Sequence, residues 1–377
     1  MSSEAVMLEV NGVRWKGWRE VSVKRQLDAV AGTFSVSLTD KWKPDARALP
    51  VTAGMSCRIL AGETALLQGY IDYVQYGIGA AEHSISISGR DATADMVDCS
   101  AEHSPGEWQN ITIHRLAEIL AKPFGIRVEC TGDAGAPLPT VTLQPGETAW
   151  EALERYLRMR ALLAMPDGKG RVQLAAIGAG RAVTALVQGQ NVLSASASYD
   201  IRDRFSRYRV LAQQPGSNAE FGAKAAAVGA TVRDPAVPRY RPLIIMAESQ
   251  ADAAAARIRA DWERTVRSAR SVTVNVTVQG WRQADGSLWP LNALVRATLP
   301  YLHVDADLLI SSVHYEQNNK GTLCSMVLCS RDAYLPEPER KARASTAAGS
   351  GGSDLYKDAV ELSAQQINAI LEGEQHG

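Results

Sequence analysis

Between Leu66 and Ala92 apolar and polar positions alternate with the period of a strand, and much of this stretch is written again between Leu308 and Ala333. The first copy opens with Leu66-Leu67, passes Ile71 and Tyr73 around Asp72, and closes on Arg90-Asp91-Ala92. The second opens with Leu308-Leu309, passes Val313 and Tyr315 around His314, and closes on Arg331-Asp332-Ala333. The offset is 242 residues at the start and 241 at the end, which puts a one-residue difference in the turn. Each copy reads as two strands joined by a polar turn. Upstream, Cys57-Arg58-Ile59 has a looser echo in Val295-Arg296-Ala297. Ile85 and Ile87 alternate with serines in the first return strand, whereas Met326-Val327-Leu328 is apolar on both faces and reads as covered on both. A period this long exceeds any solenoid repeat and points to two related domains in one chain.

The rest of the chain separates by texture. Residues 1–100 read as short strands, with Val21 and Val23, then Phe34, Val36 and Leu38, alternating with polar neighbours between glycine-rich turns. That pattern implies a barrel or sandwich, expected as the first β-barrel. Residues 101–190 read as a small α/β domain. It has a helical stripe of Ile111, Leu116, Ile119 and Leu120 ended by Pro123 and Gly125, and a second helix opened by Thr148 with Glu151 completing a capping box. Trp150, Leu153, Leu157 and Ala161 continue that second stripe, and a hairpin turns at Asp167-Gly168.

Strand alternation returns from Ser194 to Leu211 and is cleanest at Val272, Val274, Val276 and Val278. Residues 191–211 and 271–335 are therefore expected to form the second barrel. Between them lies an insertion, 212–270, with an irregular glycine- and proline-rich loop and a helix over about 249–268. Past Leu335, residues 336–377 read as a Gly/Ser linker, Ala347 to Ser353, and a weakly amphipathic final helix from Leu355 to Leu371, too short to be stable alone in water.

A chain of 377 residues can bury its own cores without disulfide or metal staples. Forty basic against 41 acidic residues leave a net charge of −1, which gives no reason to propose general nucleic-acid or membrane-surface binding. Five cysteines with no Cys-x-x-Cys fit a reduced folding environment. Met1 to Val10 lacks a basic region followed by an apolar core, and no apolar run approaches the roughly 18–20 residues a bilayer span needs. Neither a secretory signal nor a membrane anchor is expected.

Candidate chemistry is sparse. None of the six histidines lies in His-Glu-x-x-His, and neither Gly-x-Ser-x-Gly nor Gly-x-x-x-x-Gly-Lys occurs. His303, Asp305 and Asp307 would share a strand face and form the best metal candidate, but they need further ligands, and a polar strand entrance accounts for them as well. Glu151 and Glu154 could be taken for a carboxylate pair, although capping and solvation explain them better. Arg202, Arg204, Arg207 and Arg209, partly offset by Asp200 and Asp203, read either as a paired strand face or as an interface onto an acidic surface. Trp15, Trp18 and Trp42 read as packing anchors or as sugar-stacking platforms. No catalytic, cofactor-binding or metal residue is assigned.

Several motifs in sequence resemble the baseplate hub proteins of Mu-like contractile-tailed phages, relatives of the late control D proteins and of the N-terminal part of type VI secretion spike proteins. They are Arg239-Tyr240-Arg241-Pro242 through Ala247-Glu248, the alanine-rich helix with Arg259, Trp262-Glu263 and Arg270, then Gly280-Trp281-Arg282 and Gly286-Ser287-Leu288-Trp289 with Asn292. Val10-Asn11-Gly12 and Pro145-Gly146-Glu147-Thr148 with Trp150 also fit. The resemblance runs from about residue 8 to 335. It implies an α+β, β-rich chain: two related β-barrel domains interleaved with small α/β domains, assembled as a ring-forming homotrimer. Two similar barrels in each of three subunits would give six similar units around a channel. The implied partners are a central spike protein, the tail tube and other baseplate proteins, with genomic DNA passing through without sequence-specific binding. The implied place is the virion tail, after synthesis in the host cytoplasm. The alternatives are a cell-wall glycosidase using an Asp/Glu pair and a carbohydrate-binding module using Trp15, Trp18 or Trp281.

Overall fold

We describe the protein from a computed structural model, which describes residues 5–41, 50–79, 82–158, 162–212, 228–247 and 253–338. Met1–Glu339 make one compact unit; the second, Arg340–Gly377, lies outside the described residues, and with it the expected linker and final helix. Trp42, Ala161 and residues 213–227, where an irregular loop is expected, also lie outside them.

The chain opens with β1 (Val6–Val10) and β2 (Val13–Trp15), turned at Asn11-Gly12, both of which take positive φ. Then come β3 (Glu20–Gln26), β4 (Ala29–Lys41), β5 (Ser56–Ala61), β6 (Thr64–Ile78) and β7 (Glu82–Asp91). The α/β segment is α1 (Ala94–Asp98), β8 (Glu107–Ile111), α2 (Ile113–Ala121), β9 (Val128–Cys130), β10 (Leu138–Thr142), α3 (Ala149–Leu157), β11 (Leu162–Pro166) and β12 (Val172–Ala176). Next are β13 (Gly180–Arg181), β14 (Leu186–Val187) and β15 (Val192–Tyr199). An insertion follows: β16 (Arg207–Ala212), β17 (Val228–Arg233), β18 (Pro242–Met246) and α4 (Ala253–Arg270). The chain then runs through β19 (Val272–Gln279), β20 (Ala293–Leu299), β21 (Val304–Asn318) and β22 (Gly321–Cys329).

The duplication is a repeat of strand order. In the first half, strands pair in the order β3-β4-β7-β6-β5-β1; in the second, β15-β19-β22-β21-β20, with β13 and β14 on the outer edge of β20. Chain order matches too, if the β16–α4 insertion is set aside. Both long strands bulge at the same place: Asp72 is skipped between Ile71↔Gly89 and Tyr73↔Ser88, and Ser311 between Ile310↔Leu328 and Ser312↔Val327. The structural offset is therefore 239, not the 242 suggested by the Leu-Leu pairs, and Tyr76, rather than Tyr73, is the counterpart of Tyr315.

The expected closed barrels are not what the fold contains. All these strands belong to one 14-stranded sheet whose path is open, ending at β2 and at β15. The reason lies in β21. Its first half pairs with β20 and its second half, Ser312 to Gln317, pairs with β3 of the first module. The strand that would close the second module links the two modules instead. Each half-open curl is filled by one shared apolar core, running from Leu8, Phe34, Ile59 and Ile87 to Val276, Val295, Val313 and Leu328. Trp281 is the largest plug, 1% exposed, with Nε1 donating to the carbonyls of Glu316 and Leu323.

The α/β segment has its own core, in which the apolar stripes of α2 and α3 meet Val172 and Leu174 of β12. Its capping box is formed as expected: Thr148 accepts from the Glu151 amide and the Glu151 carboxylate accepts from the Thr148 amide. The insertion differs from the sequence reading. Residues 207–211, expected in the second barrel, pair with β17 and β18 in a separate three-stranded sheet backed by α4. The chain leaves the large sheet at Asp200, whose carboxylate caps the Arg202 amide and begins the turn.

Candidate assembly surfaces and passage wall

The functional geometry is a joint, a pair of edges and a face. The joint is the in-chain seam between β3 and β21, where Val23 lies opposite Tyr315, Lys24 opposite His314 and Ser22 opposite Glu316. The Ser22 hydroxyl and His314 Nε2 are 2.7 Å apart across the seam. On the other side of the sheet the Arg25 guanidinium donates to the Tyr315 hydroxyl at 3.3 Å and lies over its ring. That hydroxyl in turn donates to the Trp289 carbonyl at 2.5 Å. Burial holds the His314 imidazole below its ordinary pKa, so the seam carries no added cation near neutrality.

The edges are the counterparts of that seam. Strand β15 occupies in the second module the place of β3 in the first, pairing with β19 as β3 pairs with β4. Its other edge meets no described strand. The outer half of β6, Tyr73 to Ile78, is the counterpart of the β21 segment that receives β3; it pairs with β7 alone among the described strands. Both edges expose large apolar side chains: Tyr73 is 53%, Ile78 85%, Leu193 57% and Tyr199 55% exposed. An open edge with such side chains is a template for another strand.

The face is the side of the sheet away from the core. Alternation puts hydroxyls there: Ser22 on β3, Ser35 and Ser37 on β4, Ser86 and Ser88 on β7, Thr273 and Thr277 on β19, Ser325 on β22, and Ser196 and Ser198 on β15. Charges on it are mostly matched, as Arg58 with Glu9 and Arg296 with Asp305, while Lys24 stands exposed opposite His314. Arg90 pairs with Asp72 at 2.8 Å and Asp98 at 2.7 Å.

The residues singled out for chemistry go elsewhere. Asp305 pairs with Arg296 and Asp307 with Arg181, while His303 sits in a left-handed turn; no three-residue metal cluster occurs among the described residues. Glu151 is spent on its cap and Glu154 pairs with Arg158, so no carboxylate pair faces a cleft. Trp18 and Trp281 are buried, and Trp18 donates to the Trp15 carbonyl, which removes the sugar-stacking reading for both. Of the four arginines, Arg202 pairs with Asp200, Arg204 with buried Asp234, and Arg207 lies over Tyr240. Burial pushes the Cys57 thiol up to about 12 and that of Cys329 to about 11, values at which neither is a nucleophile. Sequence reasoning missed the two open edges. Their exposed tyrosines carried a signal, since aromatic residues on a half-covered strand are costly unless another surface meets them.

Four known domain families match successive stretches of the chain. Residues 5–91 match the N-terminal domain described as Mu phage baseplate assembly protein GpP-like, and residues 93–176 the second domain of baseplate hub protein gp44-like. Residues 204–262 match the third domain of tail protein NMB1110-like, and residues 252–337 the fourth domain of Mu phage baseplate assembly protein GpP. The chain is 34% identical over 367 residues to baseplate hub protein gp44 of Escherichia phage Mu, covering 94% of this chain and 96% of that protein. The 43 kDa tail protein of prophage MuSo2 from Shewanella oneidensis superposes with a TM-score of 0.79 at 32% identity, over 88% of this chain and all of that one. The tail protein of Neisseria meningitidis MC58 shares the fold at 22% identity, with a TM-score of 0.74 over 89% of this chain and 99% of that one. With a relative this similar along nearly its whole length, the chain belongs to the baseplate hub protein family of Mu-like phages.

Proposed function

We propose that this chain is the structural hub of a contractile-tail baseplate, working as a ring of three copies in which each copy supplies two like modules. The protein is a mechanical connector with no turnover. One observation carries the ring: the two modules share strand order and a bulge, and β3 joins β21 inside the chain, so module-to-module pairing is already present once per copy. Repeating that joint head to tail around an axis gives six similar units from three chains. Such a ring offers threefold symmetry to a central spike and near-sixfold symmetry to a tail tube, which lets one particle join both.

In that ring the hydroxyl face lines the passage, because the opposite face is filled by core. A wall of serine and threonine with matched charges supports passage of genomic DNA without retention, since it offers no row of cations to displace the counterions of a polyanion. The particle would reside in the virion tail after synthesis in the host cytoplasm. No described helix is long and apolar enough to cross a membrane.

Electron cryo-microscopy of the purified protein tests the reading. A ring with an open centre, sixfold in appearance at low resolution and threefold at high resolution, is the expected image. Particles with no central opening would refute it.

A further inference from the structure

Resting on the ring reading, we propose that the seam between copies is a strand pairing of fixed register: β15 of one copy adds antiparallel to the outer half of β6 of a second copy of this chain. The register follows from the in-chain seam. There, His314, Tyr315, Glu316 and Gln317 oppose Lys24, Val23, Ser22 and Val21. The shared bulge and the pairing with Ile85 and Ile87 make Gln75, Tyr76, Gly77 and Ile78 the counterparts of the first four. The pairing of β15 with β19, matched to that of β3 with β4, makes Ser198, Ala197, Ser196 and Ala195 the counterparts of the second four. Between copies, Gln75 therefore opposes Ser198, Tyr76 opposes Ala197, Gly77 opposes Ser196 and Ile78 opposes Ala195.

The side chains fit this pairing. Tyr315 lies over Val23 in the closed seam, and Tyr76 would lie over the smaller Ala197 in the open one. Gly77 and Ser196 fall on the hydroxyl face, which keeps the passage wall continuous across the boundary. Tyr199 falls next to Val74, where Arg25 sits beside Val313 in the closed seam. The exposed Ile78 and Tyr199, on the same side of the sheet, gain a neighbouring strand, and two open edges become one ladder.

Paired cysteines read the register directly, because directly opposed residues come within disulfide reach and residues displaced along the strand do not. In a Cys99→Ser background, which removes the exposed native thiol, Gln75→Cys with Ser198→Cys is expected to give a covalent three-chain species on mild oxidation. Gln75→Cys with Ser194→Cys, displaced four residues along the same face, should give none. A particle of three-chain mass that fails to cross-link with the first pair, or cross-links equally with the second, overturns the register and leaves the ring standing. A stable monomer overturns the ring itself. Ile78→Lys supplies a second reading that needs no cysteine. Its side chain is 85% exposed in the single chain, so the single-chain melt should not move. Dissociation of the three-chain particle should rise on the order of tenfold or more, and unchanged dissociation contradicts the pairing.

Discussion

Tyr76 and Tyr315 hold the same position in the two halves of the chain, and each phenol makes the same bond. The Tyr76 hydroxyl donates to the Val51 carbonyl at 2.7 Å, and the Tyr315 hydroxyl donates to the Trp289 carbonyl at 2.5 Å. Both acceptors lie in the segment that leads into the next strand of their module, β5 or β20. The difference is cover: Tyr315 is fully buried under the β3 seam, and Tyr76 is 46% exposed at the open edge. One residue records the module with its neighbour in place and the other records it before the neighbour arrives.

Removing the two hydroxyls should separate these environments. Tyr315→Phe strips the partner from a buried carbonyl and is expected to cost about 1–3 kcal/mol in chemical denaturation. Tyr76→Phe in the single chain should cost less, since the Tyr76 side of its bond is open to water while the Tyr315 side is not. A larger loss at Tyr76 than at Tyr315 would contradict their burial.

Asp91 should make stability fall as pH rises. Its carboxyl is fully buried, and one oxygen accepts from the Thr93 amide and hydroxyl. Burial is the main cause that pushes its pKa up to about 7; the Thr93 bonds and nearby Arg25 act the other way, and Asp167 adds to the rise. A folded value above the unfolded one means the stabilising share is full below about pH 4, the unfolded range, and is lost as pH rises through about 7. Asp91→Asn keeps the acceptor for Thr93 and should flatten this dependence in melts from pH 4 to 8.5, with the variant more stable than the parent at the alkaline end. Parallel pH profiles for both proteins would rule out the assignment.

The helix that begins at Ala149 was readable because every part of its signal is local. Thr148, Glu151 and the stripe of Leu153 and Leu157 fall within ten residues, and all of them do in the structure what their spacing implies. Thr148→Ala should therefore cost about 1 kcal/mol, measured by thermal or chemical melting; no change would mean that the cap is idle.

The duplication was only half legible for the opposite reason. Alternation revealed strands, but the register between copies was anchored on Leu66-Leu67 and Leu308-Leu309, whereas the ladders make Gly69 and Tyr70 the counterparts of Leu308 and Leu309. Barrel closure was inferred by analogy, whereas the fate of the second half of β21 depends on β3, nearly 290 residues away. Volume is also traded across the copies. Phe34 faces Gly89 in the first module and Val274 faces Leu328 in the second, so neither strand alone announces its counterpart. Arg207 and Arg209 were placed with the wrong sheet because the turn at Asp200 is made by a side-chain cap that periodicity does not show.

Gly89 gives a sharp check on that traded volume. A Cβ there would come within 2.0 Å of the Tyr70 carbonyl and 2.7 Å of the Phe34 ring. Gly89→Ala should destabilise the protein by about 1–3 kcal/mol through overpacking, and Phe34→Leu in the same chain should recover part of the loss. Additive losses would show that the two positions do not share space.

The hydroxyl wall makes a claim about charge. Ser35→Arg with Ser86→Arg puts cations on the face while leaving the core untouched. The variant should retain duplex DNA in filter binding at low salt and release it as salt rises, because each added cation frees condensed counterions. The parent should retain none under the same conditions.

Mass in solution tests the central claim most directly. Light scattering on the purified full chain at micromolar concentration should give three times the 40.6 kDa of one copy. A stable monomer at that concentration would contradict the account.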